Sequence, residues 1–338
     1  MMRQPAFWSR DGNRLWRAVL APFGWIYGAL TLRRLRRPGW RAPVPVVSIG
    51  NFTVGGGGKT PTTLALAAAL KTRGERPFLL TRGYGGQLAG PVLVEPGLHQ
   101  ARDVGDEPLL LAAIAPTVVA RDRRQGAEAA LAAGATCLLL DDALQNPALV
   151  KDISLAVIDA AFGFGNGACL PAGPLRAPVR AMAGSVHAVL LVGDGPIPDE
   201  LPPGLPLFRA QLVPAGEWTA LIGRKVLAYC GLARPGKFLA TLESAGITVA
   251  EMAEFPDHHA FTPAEADALL RRAEAGGLVL VTTEKDAARL TGDPALRALA
   301  AASQVVAVRL EPEPAFLDWF YRAFDSARSR ASTASGPA

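Results

Sequence analysis

The feature that most limits what this chain can fold into is the run GGGGKT at residues 55–60. It follows VPVVSIGN at 44–51, an apolar run of strand length. It precedes TTLALAAALKTRG, a run of strong helix formers that stops at Gly74. A strand that turns through glycines into a helix converges several backbone N–H groups and the positive helix end on one point, where phosphate oxygens bind. Thr53, Val54, Gly55, Gly56, Gly57, Gly58, Lys59 and Thr60 are therefore the expected nucleotide-binding residues. Lys59 would meet the β and γ phosphates of ATP, and the Thr60 hydroxyl would ligate Mg²⁺. Thr53 stands where the first glycine of the usual G-x-x-x-x-G-K-[ST] spacing would be, so the strand–loop–helix context carries the reading rather than the pattern.

Further apolar runs at 77–80, 117–120, 137–140, 154–158 and 187–192 alternate with helical stretches at 107–114 and 124–133. Such alternation predicts an α/β fold of the P-loop NTPase kind, a mostly parallel sheet flanked by helices. The stretch GDGPIPDELPPGLP at 193–206 breaks the pattern as a boundary or a long surface crossing. Beyond it, strands at 225–230, 247–250, 278–282 and 304–309 and helices near 235–245 and 263–274 form a second, smaller α/β lobe. The expected division is a basic, apolar segment at 1–43, a nucleotide-binding domain at 44–205, a second lobe at 206–327 contributing to the active site, and a small, polar, disordered tail at 328–338.

Charge is unevenly placed. Residues 1–43 hold nine Arg and one Asp, which leaves the other 295 residues at −3 although the whole chain is +5. A nucleic-acid partner calls for a basic face on the folded body, so none is expected. A basic end beside the uncharged run AVLAPFGWIYGALTL at 18–32 suits an anionic membrane surface instead. That run is too short to span a bilayer, which needs about 20 apolar residues, and Pro22, Gly24 and Gly28 interrupt it. It reads as an in-plane or partly inserted helix, with a helix packed on the body of the protein as the alternative. Cys137, Cys169 and Cys230 are odd in number and scattered, so neither a disulfide framework nor a thiolate metal site is indicated.

Three acidic or histidine-bearing segments could serve a phosphate site. CLLLDD at 137–142 ends a strand in Asp141 and Asp142, which would face the nucleotide at the sheet's carboxyl edge. An Asp pair there is equally the material of a turn or cap. VGDEP at 104–108 places Asp106 and Glu107 at a helix start, where N-capping by Asp106 is the local reading. His258 and His259 lie just before a Thr262-Pro263 helix start and are the only adjacent histidines in the chain.

SIGNFTVGGGGKTP, RGYGG at 82–86, GDEP at 105–108, DDALQN at 141–146, DHHAF at 257–261 and TTEKDAARL at 282–290 stand in the order and spacing seen in tetraacyldisaccharide 4'-kinases, the lipid A 4'-kinases. The chain resembles that family from its basic N-terminus to about residue 325. The resemblance implies ATP-dependent phosphorylation of the 4'-hydroxyl of a tetraacyldisaccharide 1-phosphate, with Mg²⁺, at the cytoplasmic face of a bacterial inner membrane. No obligate protein partner is implied. It makes Asp106 the expected base, with His258 its dyad partner. Lys59 and Asp141 are catalytic, Asp142 and Gln145 join Thr60 at the metal, and Arg123 faces phosphate or the acceptor. Two departures stand out: Gly57 where Thr is usual, and Ala143-Leu144 in place of Gly-Phe. A P-loop switch or metallochaperone is the rival class, but the chain has no Cys/His ligand cluster and no N-K-x-D guanine-reading motif.

Overall fold

The computed structural model describes residues 5–216 and 218–334. Helix α1 (Arg14–Leu35) is one helix despite Pro22 inside it, and the Asn13 side chain caps it by accepting the Leu15 N–H. Strand β1 (Val46–Gly50) is buried along its whole length, as an apolar run without alternation demands of a strand covered on both faces. The chain continues through α2 (Lys59–Thr72), β2 (Pro77–Thr81), β3 (Val92–Leu93), α3 (Ala101–Val104), α4 (Asp106–Ala112), β4 (Thr117–Val119), α5 (Arg123–Ala132) and β5 (Cys137–Asp141). Then come β6 (Ile153–Asp159), α6 (Val179–Ala183), β7 (Ala188–Val192) and β8 (Leu207–Ala215). The remainder holds β9 (Lys225–Cys230), α7 (Pro235–Ser244), β10 (Thr248–Glu254), α8 (Pro263–Gly276), β11 (Val279–Thr283), α9 (Glu284–Ala287), α10 (Pro294–Ala302), β12 (Ser303–Pro312) and α11 (Pro314–Ala334).

The strands form one sheet in the order β10-β9-β11-β12-β8-β7-β6-β1-β5-β2-β4-β3. Among the described residues its pairs are parallel except β3 with β4 and β8 with β12. The fold is thus the α/β arrangement that the alternation of runs predicts. Strand β12 joins the halves: Ser303–Val306 pair with β11 and Ala307–Pro312 pair with β8. Residues 193–206 cross the surface between β7 and β8.

One face of the sheet is covered by Leu66 and Leu70 of α2 and by Phe316, Phe320 and Phe324 of α11, all fully buried. Three aromatic rings spaced by four residues put one stripe of α11 against the core. That helix continues to Ala334, so residues 328–334 are helical where the polar composition suggested disorder; 335–338 lie outside the described residues.

Helix α1 touches the body through its glycines. Gly24 and Gly28 are buried, and a Cβ on Gly24 would stand 2.8 Å from the Cys169 carbonyl oxygen. Leu15, Trp16, Val19, Phe23, Trp25, Ile26 and Leu30 are exposed. Among the described residues no helix is long and apolar enough to cross a membrane.

Candidate active site

The carboxyl ends of β1, β5 and β6 lie side by side in the sheet, and the phosphate loop leaves β1 there. Gly58 caps α2 in the left-handed region, φ 91°, which a glycine adopts without strain. Gly57 lies so close to Asn51 that a Cβ would meet its amide nitrogen at 2.4 Å, so a larger residue here requires Asn51 to move. The Lys59 ammonium donates to the Gly55 carbonyl at 2.9 Å and lies 3.8 Å from Asp142 Oδ1. Thr60 is buried at the first turn of α2, and Val54 is held by its N–H donating to the Pro174 carbonyl. Thr53 bridges to Leu175.

Asp141 and Asp142 are adjacent yet differently equipped. Asp142 has φ 49°, one of only two non-glycine residues in the left-handed region among those described. Its carboxylate takes both Arg176 Nη1 at 2.9 Å and Nη2 at 2.7 Å. Burial works against its charge, but Lys59 and Arg176 outweigh burial and bring the group to about 2. Asp141 is buried and accepts from Thr63 Oγ1 at 3.1 Å. Burial, then the charges of Glu107 and Asp142, push it up to about 7. Its negative charge is under-compensated by the protein.

A cation placed beside it would favour its charged form. Asp141 and the Thr60 hydroxyl are oxygen donors of the kind a hard divalent ion takes. Among the described residues no group of three or more His, Cys, Asp or Glu side chains could hold a metal unaided. Mg²⁺ fits such a site, because it is ordinarily held by one or two carboxylates together with nucleotide phosphates. The Gln145 amide nitrogen donates to the Asn51 carbonyl at 2.6 Å, and its oxygen accepts from Arg176 at 3.0 Å. Arg123 is buried, donates to the Ala120 carbonyl and feels the charges of Asp141 and Asp142; burial brings its guanidinium down to about 10. Its Nε has no hydrogen-bond partner.

Asp106 and His258 come together from distant parts of the chain. The helix cap is Gly105, with Asp106 the first residue of α4 and not the cap that local sequence suggests. His258 Nδ1 lies 3.1 Å from Asp106 Oδ1 and 3.0 Å from Oδ2, and its φ is 57°. Oδ1 also accepts the Glu107 N–H at 2.9 Å, and Oδ2 accepts Arg289 Nε at 2.8 Å and Arg289 Nη2. Burial opposes the charge, but the His258 hydrogen bond and the Arg289 charge overcome it and hold the carboxyl well below its usual range. Both oxygens are committed to donors. The carboxyl is thereby held ionised, the form in which it can receive a proton.

His258 is partly exposed, and although burial lowers its basicity, the Asp106 hydrogen bond and charge raise it above the ordinary value. A carboxylate cannot donate, so Nδ1 of the neutral ring carries the proton and Nε2 is left as acceptor. His259 instead stacks on Phe255 and contacts Glu265, which closes the capping box of α8 with Thr262. Glu107, next to Asp106, is paired with Lys285 and feels the charge of Lys59. It also acts on Asp141, so the dyad and the phosphate loop share one electrostatic site.

A nucleotide loop and an acid–histidine dyad in one chain match the tetraacyldisaccharide-1-P 4'-kinase family model, which covers residues 16–325. The chain belongs to this family. A tetraacyldisaccharide 4'-kinase of Methylobacterium sp. (strain 4-46) is 52% identical over 322 residues, covering 94% of this chain and 96% of the relative. That of Afipia carboxidovorans is 49% identical over 326 residues, with the same two shares. Among solved structures, LpxK from Aquifex aeolicus in complex with ATP superposes with a TM-score of 0.73 at 28% identity, covering 91% of this chain and 99% of that one.

Within this family member, residues that sequence reasoning left without a role are Arg176, Lys285 and Arg289. Lys285 and Arg289 lay inside a quoted motif, TTEKDAARL, but their partner acids are 178 and 183 residues away. Arg176 sits in the loop segment PLRAP, where nothing local marks it.

Proposed function

We propose that this chain transfers the γ-phosphoryl group of ATP to the 4'-hydroxyl of a tetraacyldisaccharide 1-phosphate. The observation that carries this reading is the His258–Asp106 pair, supplied by separate halves of the chain and joined through Glu107 to the phosphate loop. A nucleotide switch needs no such base. A kinase with an alcohol acceptor gains from one.

In this reading the loop amides of residues 55–58 and Lys59 bind the phosphates, and positioning and charge neutralisation dominate the catalysis. Thr60 and Asp141 would hold Mg²⁺, which when bound neutralises charge on the β and γ phosphates. Asp142 and Gln145 act through Arg176, which holds both side chains in place beside Lys59. Asp106 takes the hydroxyl proton as the base, with His258 its dyad partner. Arg123 brings positive charge toward the Asp pair from behind. Residues 44–205 then act as the nucleotide-binding domain and 206–327 as the lobe that contributes His258 to the active site.

The acyl chains of such an acceptor remain in a bilayer, so the enzyme must meet the headgroup at the surface. The exposed apolar side chains of α1, followed by Arg33, Arg34, Arg36 and Arg37, suit peripheral or monotopic attachment to the cytoplasmic face of an inner membrane. Transfer of label from γ-labelled ATP to a tetraacyldisaccharide 1-phosphate in mixed micelles tests the reading. Vigorous ATP hydrolysis without labelled lipid would sink it.

A further inference from the structure

Four consecutive glycines at 55–58 give the phosphate loop the most backbone freedom a four-residue stretch can have, so keeping its shape costs entropy that fixed contacts must offset. Its ends are held nearby: the Val54 N–H donates to the Pro174 carbonyl, and the Gly58 carbonyl accepts the Thr62 N–H at 3.0 Å. Its middle is held from the other lobe. Arg234, in the short connection between β9 and α7, donates from Nη2 to the Gly56 carbonyl at 2.5 Å across 178 residues of sequence. The same nitrogen lies 3.0 Å from Oδ2 of Asp159, the last residue of β6, and the guanidinium lies over the Phe162 ring, 4.9 Å from its centroid. Lys237, one turn along α7, donates to that carboxylate oxygen at 2.7 Å, and Asp159 Oδ1 accepts the Ala161 and Phe162 N–H groups at 3.1 and 3.3 Å. Asp159 is buried; burial opposes its charge, but Arg234 and Lys237 outweigh burial and hold the carboxyl below its usual range. None of these side chains has a part in the catalytic scheme above.

We propose that Arg234 is a positioning residue for ATP: it pins the Gly56 peptide from the second lobe and so preorganises the phosphate loop, a role that rests on the reading of residues 55–60 as the nucleotide site. The physical link is the peptide plane. The Gly56–Gly57 bond is trans, so the Gly56 C=O and the Gly57 N–H point in opposite directions, and fixing the oxygen fixes the donor. A loop that binds phosphate through its amides gains affinity when those donors are already oriented. Asp159 and Phe162 set where the guanidinium stands, one by its charge and the other by its ring face. Gly231, which opens the same connection, accepts the His258 N–H at 3.2 Å, so the histidine of the dyad is held by a separate bond. Without Arg234, Asp159 keeps Lys237 and two backbone donors, which leaves no buried charge unpaired.

The experiment combines calorimetric titration with ATP, steady-state transfer and hydrogen exchange read by mass spectrometry, all on the full chain in micelles. Arg234→Met keeps a stem over Phe162 and removes the guanidinium. In it Kd and KM for ATP should rise about 10-fold, with kcat at saturating ATP within about threefold of wild type and KM for the lipid acceptor unchanged. Amide exchange without nucleotide should quicken in the peptide spanning residues 51–60 and stay as in wild type across β6 and β9. Arg234→Lys retains a donor and the charge and should recover most of the ATP affinity. Phe162→Leu removes the ring beneath the guanidinium and should raise KM for ATP about threefold, which decides the matter if Arg234→Met fails to fold. Unchanged ATP affinity in these variants overturns the proposal. So does a loss confined to kcat, which would place Arg234 on the transferring group, and so does exchange quickened throughout both lobes, the mark of a merely structural arginine. If the wild-type chain binds ATP but transfers no phosphate, the kinase reading fails, while ATP affinity and loop exchange still decide the role of Arg234. A wild-type chain that binds no ATP would instead overturn the nucleotide reading on which that role rests.

Discussion

His258 Nδ1 stands 3.0 Å from Asp106 Oδ2 across 152 residues of sequence, and Arg289 Nε donates to the same oxygen at 2.8 Å. In the proposed reading the two act as one dyad, with Asp106 the base and His258 its partner. Asp106→Asn removes the charge that raises His258, so the ring pKa should drop, as an NMR titration of the ring would show. Turnover should fall by about 10²- to 10⁴-fold. His258→Ala should lose a similar factor, and the double variant should lose far less than the product, because the two act as one unit. Losses that multiply cleanly would show independent roles.

Stability should follow the same pair with a definite sign. The Asp106 carboxyl is depressed in the folded state, so its contribution is present above the unfolded pKa of about 3.9 and is lost as pH falls through the folded value. Wild type and Asp106→Asn should therefore differ in urea midpoint at pH 7, with the gap starting to narrow only as pH falls below about 4. A gap that widens on acidification would contradict the depressed carboxyl.

The fold was legible in the sequence because parallel strands buried on both faces leave unbroken apolar runs, as in 137–140 for β5 and 154–158 for β6. Strand β12 was harder, since its division between β11 and β8 depends on partners distant in sequence. At the site, the phosphate loop was visible because its chemistry is local. Asp106 looked like a helix cap because local sequence cannot show that Gly105 takes that place. Arg176, Lys285 and Arg289 find their acids only in three dimensions. The left-handed backbone at Asp142 and His258 is also invisible to pattern reading, though strain of this kind gathers at functional positions.

Lys59→Ala should lower turnover by roughly 10³-fold or more, since the ammonium neutralises charge on the transferring group. The helix it opens should persist, because Thr62 and Thr63 still donate to the carbonyls of residues 58 and 59. Circular dichroism matching wild type, together with a near-normal rate, would remove the loop from the mechanism.

Asp141 and Asp142 should respond differently to magnesium. If Asp141 holds the cation, Asp141→Asn should raise the Mg²⁺ concentration needed for half-maximal rate by about 10- to 100-fold. Arg176→Ala should leave that requirement nearly unchanged and instead lower kcat, by freeing Asp142 and Gln145. EDTA should abolish transfer by the wild type. Equal Mg²⁺ shifts in both variants would count against the separate roles.

The surface of α1 makes the last prediction. Its glycine stripe is turned inward, so Trp25, Phe23 and Ile26 remain exposed and add apolar area to the pull of Arg33, Arg34, Arg36 and Arg37 on anionic lipid. Each Arg near the surface contributes about 1 kcal/mol, so a charge-neutral variant should weaken binding strongly and lose its salt dependence. Replacing the four arginines with Gln should move protein from sedimenting liposomes to the supernatant and raise KM for the lipid acceptor. ATP binding should not change, because residues 44–60 are untouched. Phe23→Ser with Trp25→Ser should give the complementary result, weaker binding that is still relieved by salt. If both variants, and a chain lacking residues 1–37, partition like wild type, then α1 is a packing element and the acceptor is reached by some other surface.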